Sequence, residues 1–151
     1  MILRFLLFLI INFLALYLGM LFSGEGGASD WYYSLTRAPW EPQGWVFGAA
    51  WTTIMICFAF YMSISWINVF KKKLILLYLA QLVLNISWSP IFFNFHNIFL
   101  GLITISSLTF LIGYILYSFW KELKLNSVFI LPYLFWLIVA TSLNGYIFLN
   151  N

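Results

Sequence analysis

The chain has 151 residues, of which 64% are hydrophobic, 23% are aromatic and only 7% are charged. A soluble domain carries about 25% charged residues, so seven Lys and Arg with four Asp and Glu are too few to cover a water-soluble globule. This composition indicates an integral membrane protein and excludes a soluble enzyme, a disordered segment and a nucleic-acid-binding protein. The net charge of only +3 is no evidence for a nucleic-acid partner.

The charged residues separate long apolar stretches, and a membrane-spanning helix needs about 20 apolar residues. We predict an all-α integral membrane protein, a single 1–151 domain built as a five-transmembrane-helix bundle. The predicted helices are 3–22, 45–69, 74–93, 98–120 and 128–148. The apolar run of the first helix exceeds that of a signal peptide, which favours a retained span.

The first loop, 23–44, is more than a spacer. It has a Gly-rich entry, and Pro39 and Pro42 exclude a continuous helix. Asp30 is predicted to cap one short turn over 31–35. Because loops on rigid scaffolds often carry binding residues, we expect this loop to form a lid over the mouth of the bundle.

One-sided stripes of polar and aromatic residues run along three of the predicted helices. Amides in hydrocarbon are costly unless they find partners, so the stripes have two interpretations that stay open. They form interhelical hydrogen bonds, or they line a cavity for a large, flat, mostly apolar ligand. The stripes comprise Trp51, Met55, Phe58 and Met62 in the second helix, Gln81, Asn85, Trp88 and Phe92 in the third, and Tyr133, Trp136, Ala140 and Asn144 in the fifth.

Apart from Arg4 at the very start of the first helix, the predicted spans contain no Asp, Glu, Lys or Arg, whereas ion-coupled pumps and exporters usually carry such residues at mid-membrane. The lone Cys57 forms no intrachain disulfide, and a small packing residue is the simplest interpretation. His96 lies at the junction between the third and fourth helices, where capping of a turn is favoured over metal or haem ligation. We predict no metal site, no catalytic residues and no required cofactor.

Six of the seven basic residues fall on one predicted side of the membrane. They are Arg4, Lys71, Lys72, Lys73, Lys121 and Lys124, and only Arg37 lies on the other side. The positive-inside rule therefore predicts a cytoplasmic N-terminus, with the 23–44 loop and the C-terminus outside.

Three sequence blocks carry a resemblance to a known family. Residues 31–55, WYYSLTRAPWEPQGWVFGAAWTTIM, resemble the signature of the TspO/MBR family of tryptophan-rich sensory proteins and translocator proteins, also known as peripheral-type benzodiazepine receptors. Residues 77–93, LYLAQLVLNISWSPIFF, and 131–147, LPYLFWLIVATSLNGYI, resemble its later motifs. The resemblance covers nearly the whole chain and implies a bacterial-type member with five helices. Departures from the family pattern are Ala38, Gln43, Ala49 and Val139.

The family binds porphyrins, haem and related tetrapyrroles, and some members bind sterols or synthetic isoquinoline and benzodiazepine ligands. The resemblance implies a ligand cavity between the helices, under the first loop. By motif match its ligand-binding residues are Trp31, Tyr32, Pro39, Trp40 and Pro42 in the lid, Trp51 in the second helix, Gln81, Asn85, Trp88, Pro90, Phe92 and Phe93 in the third, and Tyr133, Trp136, Ala140, Thr141 and Asn144 in the fifth.

Arg37 is a further candidate, on chemical grounds. A porphyrin has an apolar ring and ionised propionates on one edge, which the aromatic stripes cannot satisfy. Arg37 is the only basic residue on the predicted outer face, so it is a hypothetical partner for that edge. The alternative, an interfacial arginine in contact with lipid phosphate, stays open.

The resemblance implies a bacterial membrane protein that binds a tetrapyrrole as a sensor or regulator. Expected partners are a porphyrin, haem or another flat apolar small molecule, the lipid bilayer and a second copy in a homodimer, but no nucleic acid. One alternative is a transporter of porphyrin or sterol-like apolar ligands. Another is light-dependent porphyrin degradation, for which Trp51 and Trp136 are the photochemical candidates; otherwise no enzymatic activity is predicted.

Overall fold

A computed structural model describes residues 1–151 and is helical throughout, without β-strands. Four helical stretches are long and apolar enough to cross a membrane, and the last of them, Ile98–Asn150, contains two helices. The count of five long helices thus agrees with the sequence prediction. They are α1 (Ile2–Phe22), α3 (Gly44–Asn68), α4 (Lys71–Ser89), α5 (Ile98–Leu123) and α6 (Leu131–Asn150), with a short helix α2 (Asp30–Ser34) in the first loop.

The long helices pack side by side in an order that differs from their order in the sequence. Helix α1 packs against α3 and α4, α4 against α5, α5 against α6, and α6 against α3. These contacts close the ring α1–α3–α6–α5–α4. The loop containing α2 covers one end of this ring, and the α3–α4 and α5–α6 connections lie at the other end.

Two groups of buried side chains hold the fold together. The larger group fills the middle of the bundle and includes Phe58, Tyr61, Leu108 and Ile112, each no more than 1% exposed. A smaller group of Tyr32, Phe92 and Ile147 lies beneath the lid. Large apolar side chains on the outer faces are exposed, as expected of helices that face lipid.

The helix ends differ in detail from the predicted ones. Helix α4 begins at Lys71 rather than at residue 74, so the lysines form its first turn instead of the connection before it. The prediction that Asp30 caps the short lid helix is wrong, because Ser29 is the cap: its Oγ accepts a hydrogen bond from the Tyr32 N–H at 3.2 Å. Asp30 is instead the first residue of α2, where its charge suits the helix N-terminus.

A π-helical turn, Pro90–Asn94, ends the α4 segment. The Phe95 N–H donates to the Pro90 carbonyl at 2.9 Å, and this wider turn precedes the break before α5, which falls between the predicted helices 74–93 and 98–120. Asn97, not His96, caps the next helix: its Oδ1 accepts from the Leu100 N–H at 3.0 Å. Single π turns inside helices occur frequently at functional sites.

Candidate functional site

A cavity of about 1100 Å³ lies under the lid, between the lid-side ends of α1, α3, α4 and α6. Ligand pockets in proteins usually measure about 300–1000 Å³, so this cavity is large enough for a sizeable small molecule.

Aromatic rings from several elements line the inner part of the cavity. Phe47 and Trp51 come from α3, one helical turn apart, and Trp136 comes from α6 and packs edge-on against Phe47 at 5.3 Å. Trp88 and Phe92, stacked at 5.7 Å with their planes 12° apart, close the α4 side. Such a wall suits a flat apolar ligand, because each ring offers a broad surface for dispersion and stacking.

Two polar groups belong to the inner wall of the cavity. Asn144 lines the cavity, accepts a hydrogen bond from the Trp88 Nε1 at 3.4 Å and donates to the Ala140 carbonyl at 3.0 Å. The Trp136 Nε1 is buried and has no acceptor in the chain. An unsatisfied buried donor is rare in proteins, and this one belongs to a side chain of the cavity wall.

The cavity mouth carries the charged side chains. Arg37 forms an ion pair with Glu41 at 3.3 Å and lies over the rings of Tyr32 and Tyr33, at 5.4 and 5.3 Å from their centroids. The Tyr32 hydroxyl donates to the same Glu41 carboxylate at 2.8 Å. Burial, and then the hydrogen bond to Glu41, raise the pKa of Tyr32, so its hydroxyl stays protonated and keeps this bond.

The lid is fastened to the bundle by aromatic contacts on its outer side. Trp31 stacks on His96 with ring centroids 4.2 Å apart. The Trp40 Nε1 donates to the Ser142 hydroxyl at 3.2 Å, and its ring packs edge-on against Tyr146 at 5.2 Å. Trp31 and Trp40 therefore hold the lid in place and do not line the cavity.

Beneath Trp51, a polar network joins α4 to α6. The Asn85 Nδ2 donates to the Tyr133 hydroxyl at 2.8 Å, and that hydroxyl donates to the Gln81 Oε1 at 3.1 Å. Gln81 and Tyr133 are each only 1% exposed, and neither they nor Asn85 line the cavity. Of the two interpretations of the polar stripes, interhelical hydrogen bonding therefore describes these amides, whereas Asn144 lies at the cavity.

The structure places the predicted site residues in two groups. At the cavity lie Tyr32, Arg37, Pro42, Trp51, Trp88, Phe92, Phe93, Trp136, Ala140 and Asn144. Away from it lie Trp31, Pro39, Trp40, Gln81, Asn85, Pro90, Tyr133 and Thr141, the last in contact with Thr109 of α5 through hydroxyls 2.9 Å apart.

Several cavity residues were not predicted from the sequence. Phe47 lies one turn before Trp51, and Leu143 and Ile147 continue the α6 stripe, so helical spacing could have found these three. Leu16 and Met20 of α1 resemble any other apolar residue of a membrane helix, and no signal in the sequence distinguishes them.

Comparisons with known proteins show sequence similarity to one family of membrane proteins. A model of the TspO/MBR family matches residues 7–149. The chain is 30% identical to the tryptophan-rich protein TspO of Archaeoglobus fulgidus, over 88% of this chain and 87% of that protein. It is 34% identical to protein CrtK of Rhodobacter capsulatus, over 76% and 74% of the two chains. It is 29% identical to the translocator protein of Homo sapiens, over 85% and 78% of the two chains.

Proposed function

The chain belongs to the TspO/MBR family of membrane proteins, and from that premise we propose that it is a tetrapyrrole-binding sensor or regulator. The observation that carries this proposal is the cavity under the lid, whose wall is formed by indole and phenyl rings from α3, α4 and α6. A porphyrin lies among these rings with its apolar macrocycle buried, where it gains most from dispersion.

The charged mouth orients the ligand. Propionates point toward the lid, because carboxylates buried among the aromatic rings would find no partner. Arg37 is the cation available there, but Glu41 already occupies it and Glu25 also lies at the mouth. The ligand carboxylate therefore exchanges with Glu41, and its gain is the difference between two ion pairs rather than one full ion pair.

We place the five long helices across a bacterial cell membrane, with the N-terminus in the cytoplasm and the lid outside. This orientation is supported by the positions of the basic residues. Lys71, Lys72, Lys73, Lys121 and Lys124 lie at the end of the bundle opposite the lid, whereas Arg37 lies in the lid. The ligand then enters from the outer side.

Equilibrium titration of the protein in lipid nanodiscs with protoporphyrin IX, followed by the Soret band, tests the proposal. Trp51→Ala and Trp136→Ala each remove a wall ring and should weaken binding by about 1–3 kcal/mol, the range for stacking on an aromatic side chain. Trp120→Ala is the matched control, since Trp120 lies on α5 away from this cavity. Equal affinity in all four proteins would refute the cavity as the binding site.

A second candidate function is light-dependent porphyrin degradation. It is favoured by one observation, the presence of both Trp51 and Trp136, together with Trp88, on the wall of the same cavity, where oxidisable indoles would lie beside a bound porphyrin. Analysis of the products after illumination, with the variants Trp51→Phe and Trp136→Phe, tests this second function. Loss of products with retained porphyrin binding would support photochemistry. Identical products from both variants and the original protein would exclude a photochemical role for these tryptophans.

A further inference from the structure

A second groove lies on the outer surface of the bundle, at the end opposite the lid. It has a volume of about 580 Å³ and runs between the first turn of α4 and the last turns of α5. Its polar and amphipathic side chains are Lys73, Tyr114, Tyr117, Ser118, Trp120 and Lys121. It shares no residue with the cavity under the lid.

Positive charge accumulates around this groove without a partner. Helix α4 begins with Lys71, Lys72 and Lys73, has no acidic residue in its first turn and has no side-chain hydrogen bond at its cap. The N-terminus of a helix is its positive end, so three lysines there repel the helix dipole and one another. The only ion pair of the chain is at the lid, between Arg37 and Glu41, so no carboxylate forms an ion pair with these lysines. Glu122, next to Lys121 at the end of α5, is the acidic residue at this end of the bundle.

The position of Lys73 shows how the protein accommodates this charge. Its Nζ lies 5.1 Å from the centroid of the Tyr114 ring and 5.5 Å from that of Phe119, so the ammonium group is held by aromatic faces beside the groove. Lys121 lines the same groove from α5. Lys73, Ser118 and Lys121 therefore line the same groove, and their ammonium and hydroxyl groups are of the type that binds phosphate.

The rest of the groove suits a lipid rather than a free ion. Tyr117 and Trp120 are 82% and 54% exposed, and aromatic residues with a polar tip are enriched where membrane helices meet the headgroup region. Toward the middle of α5 the groove is lined by Gly113 and Leu116, which offer an apolar path for an acyl chain.

We propose that this groove binds the headgroup of an anionic membrane phospholipid, with the phosphate between Lys73 and Lys121 and an acyl chain along α5. Basic pockets between membrane helices are known to hold anionic headgroups. Bound lipid compensates the first turn of α4 and holds the ends of α4 and α5 together, far from the cavity under the lid.

Native mass spectrometry of the full chain in detergent, titrated with phosphatidylglycerol or phosphatidylcholine of identical acyl chains, tests the proposal. Each lysine near a membrane surface contributes about fivefold in affinity for anionic lipid, so Lys73→Gln and Lys121→Gln should each weaken phosphatidylglycerol binding by roughly that factor. Lys72→Gln is the matched control, because it removes the same charge from the same helix turn but does not line the groove. Lys73→Arg keeps the charge and should bind like the original protein.

Three outcomes would overturn the proposal. Equal weakening by Lys72→Gln and Lys121→Gln would show diffuse attraction to positive charge and no defined groove. Equal affinity for phosphatidylcholine would show that the anionic headgroup is not recognised. Displacement of phosphatidylglycerol by inorganic phosphate at equal concentration would show that the site takes a free anion. Lys121 is exposed and makes no buried contact, so its variant keeps the test valid if Lys73→Gln does not fold.

Discussion

Gly101→Ala should disrupt the cavity wall from behind. Gly101 lies in the first turn of α5 and is buried against Phe92, the ring that lines the cavity from the π-helical turn. A Cβ atom at this position would lie 2.8 Å from the Phe92 Cδ2 and 3.2 Å from its Cβ. The closer contact is about 0.6 Å inside the 3.4 Å edge of ordinary van der Waals contact.

Phe92 has little freedom to move away. It is 1% exposed, and its ring packs against Trp31, Trp88 and Phe93 at centroid distances of 5.5, 5.7 and 5.0 Å. Overpacking of a well-packed core costs about 1–3 kcal/mol. Alanine recovers about 1 kcal/mol through its better helix propensity. We therefore expect a net loss of about 0–2 kcal/mol in the free energy of unfolding.

Gly145→Ala is the matched control, since its Cβ would meet nothing closer than the Leu102 Cδ1 at 4.0 Å. It should gain up to about 1 kcal/mol, so the two variants differ by about 2 kcal/mol, or roughly 4–8 °C in apparent Tm. Thermal unfolding in one detergent, with porphyrin titration of the same samples, measures both effects. Equal Tm values and equal porphyrin affinities for Gly101→Ala and Gly145→Ala would refute the role assigned to this contact.

Three further predictions follow from the lid, the polar network and the charge distribution. Arg37→Gln should weaken binding of a free-acid porphyrin by no more than about 1 kcal/mol, because the ligand carboxylate has to displace Glu41, and Glu41→Gln should strengthen binding. A porphyrin dimethyl ester should barely respond in the same titration, and equal effects on acid and ester would contradict carboxylate recognition. Tyr133→Phe removes the hydroxyl that Asn85 and Gln81 share as a hydrogen-bond partner, and it should cost about 1–3 kcal/mol of stability in thermal unfolding. Porphyrin affinity should not change; a matching loss of affinity would show that this network belongs to the binding site. The membrane topology can be tested by labelling single cysteines in a background where Cys57 is replaced by alanine. Ala28→Cys, in the lid, should react with an impermeant maleimide on intact cells, whereas Asn126→Cys, between α5 and α6, should react only after permeabilisation. The reverse pattern would show that the lid lies in the cytoplasm. Ala28 is a better labelling position than the neighbouring Ser29, because Ser29 is buried and caps α2.

The sequence by itself determined the class of protein and the number of helices. Membrane helices need long runs of apolar residues because hydrocarbon offers the backbone no hydrogen-bond partners. Charged residues and the polar 94–97 cluster mark where such runs stop, so composition and spacing were sufficient. The recurrence of Trp and Asn at helical spacing likewise indicated which helix faces are special, because 3.6 residues per turn is a property of the backbone alone.

Only the tertiary structure decided what those special faces do. Asn85 and Asn144 have the same chemistry and similar positions on their stripes, and both form hydrogen bonds between helices, yet only Asn144 also lines the cavity. The sequence also did not show that the lid tryptophans lie outside the cavity. Trp31 and Trp40 pack on the outer rim against His96 and Ser142, which are far from them in the chain. In each case the outcome depends on which surfaces the packed helices bring together, and local spacing carries no information about a partner from another helix.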